Sequence, residues 1–106
     1  VTHGTPSVDG FLSPEQIRRV VMSHKGGIQF CYEKELQRVP NLSGKIDIVW
    51  TIDLEGRVLK ARVESTSMNN SAVEGCITRS VRRWIFPKPQ GGHCIVKWPF
   101  IFKGGI

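Results

Sequence analysis

Three things are missing from this sequence. No apolar run approaches the roughly 20 residues needed to cross a bilayer. No secretory leader pattern is visible. No C-x-x-C pair occurs among its three cysteines, Cys31, Cys76 and Cys94. The first two absences leave no membrane-inserting segment within these residues. The chain begins at Val1, not Met, and reads as a piece of a longer protein, which leaves an anchor or export signal upstream open. The third argues against zinc ribbons and thioredoxin-type chemistry. An odd cysteine count fits either a reduced cytosolic chain or one disulfide plus a free thiol. Acidic residues are also scarce, 9 Asp and Glu against 15 Lys and Arg, for a net charge of +6. That excess points to an acidic partner surface, a nucleic acid or an anionic envelope surface, with plain solubility as the competing explanation.

A convincing catalytic apparatus is missing as well. Cys31 and His24 lie seven apart on one expected helix, about two turns, too far for a nucleophile–base hydrogen bond. His93 and Cys94 are neighbours on an expected strand and point to opposite faces, so they do not readily share a metal ion with Cys31 and Cys76. No enzymatic activity, metal, cofactor or small-molecule substrate is expected. The G-x-x-G loop of KH domains and an RNP-like aromatic pair are both absent, so nucleic-acid binding is not expected either. Arg18, Arg19, Arg79, Arg82, Arg83 and Lys88 could nevertheless form a basic surface. A cytosolic nucleic-acid-binding α+β domain therefore stands as the alternative function.

What is present fits one domain of 106 residues. Residues 1–10 (VTHGTPSVDG) are small, polar and turn-forming and read as a linker; residues 11–106 are the expected domain. Ser13, Pro14 and Gln16 make a capping box with proline at the first helical position. Ile17, Val20, Val21, Ile28 and Cys31 then form an apolar stripe that also holds His24. Gly26-Gly27 marks a kink or a close contact within that helix, which Pro40-Asn41 ends. Ile46, Ile48, Trp50 and Ile52 alternate in the clearest strand, and Leu54-Glu55-Gly56 turns the chain into a second, Arg57 to Ser65. The apolar positions Val58, Ala61 and Val63 break parity, so a bulge is expected. Asn70 or Ser71 caps a second helix carrying Val73, Cys76, Ile77, Ser80, Val81 and Trp84, stopped by Phe86-Pro87-Lys88-Pro89.

The last strand, His93 to Phe102, places Val96, Trp98, Phe100 and Phe102 on one face and Ile95, Lys97, Pro99 and Ile101 on the other. Pro99 cannot donate to a ladder, which pushes this strand to a sheet edge. The expected fold is a two-layer α+β domain of order α-β-β-α-β. Its three-stranded antiparallel sheet has the first strand in the middle, and two helices cover one face. An edge strand offers unpaired backbone groups to a second chain.

The runs LSPEQIRRVV, CYEKELQRVPNLSGKI and IDLEGRV, a second Cys on a helix ending RRWIFPKP, and a closing PFIF strand together resemble the AgmX/PglI C-terminal domain. That family is a branch of the TonB C-terminal-like domains found in gliding-motility proteins. The resemblance covers residues 12–102. It implies a periplasmic module of an inner-membrane-anchored protein that passes proton-motive-force-driven work to an outer-membrane or periplasmic partner. It also implies that an extended partner segment pairs with the last strand. On this chain the partner-binding residues are then His93, Ile95, Lys97, Ile101 and Lys103. A homodimer by strand exchange stays open, and Cys94 has no counterpart in the pattern.

Cys31 and Cys76 lie on the core faces of the two expected helices. If both helices pack on one side of the sheet, the sulfurs meet and close a loop of about 45 residues. The alternative is two reduced cysteines acting as small buried hydrophobes. The stretch Trp84-Ile85-Phe86-Pro87 reads as structural, with Trp84 closing the core and Phe86 covering the sheet.

Overall fold

Alternation at Ile46, Ile48, Trp50 and Ile52 produces a strand with one fully buried face, and this strand sits at the centre of the sheet. The structure, a computed structural model, describes residues 2–3 and 7–103. Val1 and residues 4–6 of the expected linker, and residues 104–106 at the end of the expected domain, lie outside the described residues. In chain order the elements are β1 (Thr2–His3), β2 (Ser7–Asp9), α1 (Pro14–Ser23), α2 (Lys25–Leu36), β3 (Gly44–Ile52), β4 (Val58–Thr66), α3 (Ser71–Val81) and β5 (Cys94–Phe102).

β3 pairs antiparallel with β4 on one side and β5 on the other, so the first long strand is in the middle, as its connections require. Asp53 sets the β3–β4 turn. Its Oδ1 accepts from the backbone N–H groups of Glu55 and Arg57, each at 2.9 Å. The β3–β4 register shifts twice, leaving Leu59 and Glu64 unopposed. These bulges account for the broken parity of Val58, Ala61 and Val63. The β3–β5 register runs without a shift from Gly44↔Phe102 to Ile52↔Cys94.

The helices supply the second layer. Ser13 and Gln16 form the capping box of α1, with reciprocal bonds of 3.1 and 2.9 Å. Asn70 caps α3 by accepting from the Val73 N–H at 3.0 Å. Ile17, Val21, Ile28, Cys31, Val73, Ile77 and Val81 join the inward side chains of β3 and β5 in one core. Two expectations need correction here. The first helix is not one kinked helix, and its break is not at Gly26-Gly27. α1 ends and α2 begins at His24 (φ −106°, ψ 12°), whose imidazole stacks on the Trp84 indole at 4.8 Å. The two glycines lie inside the first turn of α2. Among the described residues there are therefore three helices, not two. α3 ends at Val81, and Trp84 lies beyond it, buried beside Trp50 and Phe86.

The other correction concerns the sheet. Three strands were expected, with the last at an edge. β1 and β2 also pair antiparallel with β5, on the side away from β3. The segment read as a linker thus contributes two short strands. Backbone pairing holds it, and Val8 is its half-buried side chain against the core. Such pairing needs no apolar period and leaves no pattern in a sequence of Thr, Ser, Gly and Pro.

Candidate functional site: the outer edge of β5

The direction of the backbone groups follows from the ladder. Lys45 bonds through both its N–H and its carbonyl to Ser67, on the β4 side. In an antiparallel sheet alternate residues share a side. Odd-numbered residues of β3 therefore address β4, and even-numbered ones address β5. Even-numbered residues of β5, opposite them in register, return those bonds. Ile95, Lys97, Pro99 and Ile101 consequently turn their backbone groups to the outer edge. Pro99, opposite Asp47, costs the β3–β5 ladder nothing, because its missing donor would have faced outward.

The N-terminal segment lies along that edge. Ser7, Val8 and Asp9 stand opposite Lys97, Val96 and Ile95; Thr2 and His3 stand opposite Ile101 and Phe100. The described pairs flank Trp98 and Pro99. Gly10 closes the docking with φ +138°, and a Cβ there would stand 2.8 Å from both the Cys94 Cα and the His93 carbonyl oxygen. Val8 is half-buried against the core, and backbone pairing with β5 supplies the rest of the hold.

Of the five expected partner-binding residues, Ile95, Lys97 and Ile101 lie in β5, and His93 and Lys103 directly flank it. Ile95 is 46% exposed. Lys97 and Ile101 are half-buried on the same outer face, and Lys97 forms an ion pair with Glu64 at 3.2 Å. His93 and Lys103 are exposed at the two ends of the strand. Sequence reasoning missed the companion segment on their edge. The one signal for it was Val8, set between Ser7 and Asp9.

The opposite edge of the sheet, β4, is protected. Two bulges interrupt it, and Arg82 donates to the Ala61 carbonyl at 3.2 Å, satisfying an outward-facing acceptor. Arg79, Arg82 and Arg83 belong to α3 and the turn after it, which packs on β4. They lie across the sheet from β5's outer edge, so they do not flank the predicted binding strand.

Cys31 and Cys76 are joined, with a Cα–Cα distance of 5.7 Å, tying α2 to α3. Cys94 is free and fully buried. Burial pushes its thiol above the ordinary value, against the pull of the Leu12 and Phe11 backbone, and Asp9 adds to the rise. Tyr32 is likewise pushed up by burial, and its hydroxyl donates to the Leu42 carbonyl. Asp47, buried on the outer face of β3, accepts from the Ser65 hydroxyl at 2.7 Å through Oδ2. No group of three His, Cys, Asp or Glu side chains suited to a metal ion occurs among the described residues. Compared with protein-family models, with curated proteins and with solved structures, the chain matches none of them.

Proposed function

We propose that this chain is a protein-interaction domain of the TonB C-terminal type. In this reading it works in the periplasm as part of an inner-membrane-anchored, proton-motive-force-linked complex of the gliding-motility kind. It engages an extended segment of an outer-membrane or periplasmic protein by adding it as a strand along the outer edge of β5. The observation that carries this reading is the pairing already present there. An extended segment runs antiparallel to Ile95, Val96 and Lys97, which is the geometry of strand addition. Protection of the β4 edge by bulges and Arg82 leaves β5 as the favoured side. The Cys31–Cys76 disulfide suits an oxidising compartment.

Cross-linking tests it. Ile95 on β5 and Leu59 on β4 are both exposed, at 46% and 55%, so each takes a photoreactive residue with little disturbance. In the living host, position 95 is expected to form an adduct with an envelope protein and position 59 to form none. Adducts from position 59 alone would place the partner on the wrong edge.

A further inference from the structure

We propose that the two N-terminal strands, β1 and β2, are a built-in stand-in for the partner strand, one that holds β5's outer edge until a better-matched segment displaces them. This rests on the reading of that edge as the partner site. Its basis is that the same outward groups of Ile95, Lys97 and Ile101 cannot serve two strands at once.

The register also gives the chemistry of the displacing segment. The stand-in is poorly matched to the edge. In β2 it sets Asp9 opposite Ile95, while Val8, opposite Val96, is an apolar match. Cross-strand pairs favour apolar against apolar and opposite charges together. The displacing segment is therefore an extended peptide, antiparallel to β5. It carries apolar residues opposite Phe100, Val96 and Ile95 and an acidic residue opposite Lys97. The weaker match makes the stand-in displaceable. Its occupancy of the edge lowers apparent partner affinity in proportion to the fraction of molecules in which the edge is open.

The probe is a synthetic peptide with the sequence of residues 1–10 carrying His3→Val, Ser7→Glu and Asp9→Val. It is titrated into the complete chain labelled with nitrogen-15. At saturation the amides of Ile95 and Lys97 shift, and the Val8 amide moves to its random-coil position. Val8→Asp, which removes the apolar anchor, binds the same peptide about tenfold more tightly. Gly10→Ala, which strains the docked turn, loosens the segment by a second route and tightens binding likewise. Shifts at Ile95 and Lys97 with Val8 unmoved, or equal affinities for the variants and the unmodified chain, overturn the stand-in role and leave the β5 site in place. An absence of shifts at Ile95 and Lys97 up to millimolar peptide overturns both.

Discussion

Gly26 and Gly27 show how a residue can mislead a reading made from sequence. A glycine pair inside a helical stripe signals a kink, yet the break is two residues earlier, at His24. At the break His24 stacks on Trp84, a tertiary contact that no local spacing encodes. Both glycines are exposed, and a methyl group at either would meet no atom within 4 Å. Gly26→Ala and Gly27→Ala are therefore expected to stabilise the domain by about 0.5–1 kcal/mol each, read as a higher urea midpoint at unchanged slope. A loss of stability would mean that the pair serves the bend after all. Capping was the opposite case. Ser13 with Gln16, and Asn70, declare their helix starts because the bonds they make are local.

Among the elements, those with one dry face were legible. β3 and β5 each carry four or more apolar residues at period two, and burial follows that period except at Asp47 and Pro99, which are buried on the other face. β4 was legible to within its bulges. The N-terminal strands were not, since an element held through its backbone has little side-chain signature. The link between α2 and α3 followed from placing both cysteines on core faces, and the structure joins them over 45 residues of chain. Replacing both by serine is expected to cost about 4 kcal/mol, measured as the difference in unfolding free energy in urea. A cost under about 1 kcal/mol would mean that helix packing alone holds the layer.

Taken whole, the molecule has two unequal sheet edges. One is bulged and closed by Arg82. The other carries the outward backbone groups of Ile95, Lys97 and Ile101 and receives its own N-terminal segment. The alternation of β5 was legible. Its surroundings were not: Pro99 pointed to a sheet edge, and the N-terminal strands, distant in sequence, pair there instead.

The measurement that bears most directly on strand addition compares Lys97→Pro with Lys97→Ala in binding the envelope protein cross-linked from position 95. Proline removes both the outward N–H and the side chain; alanine removes only the side chain. Neither touches the β3 ladder, so the near-ultraviolet signal of the buried Trp50 and Trp98 should be kept in both. Loss of at least about tenfold in affinity for Lys97→Pro, with a clearly smaller loss for Lys97→Ala, is the predicted result. Equal affinities for the two folded variants would contradict backbone pairing along β5.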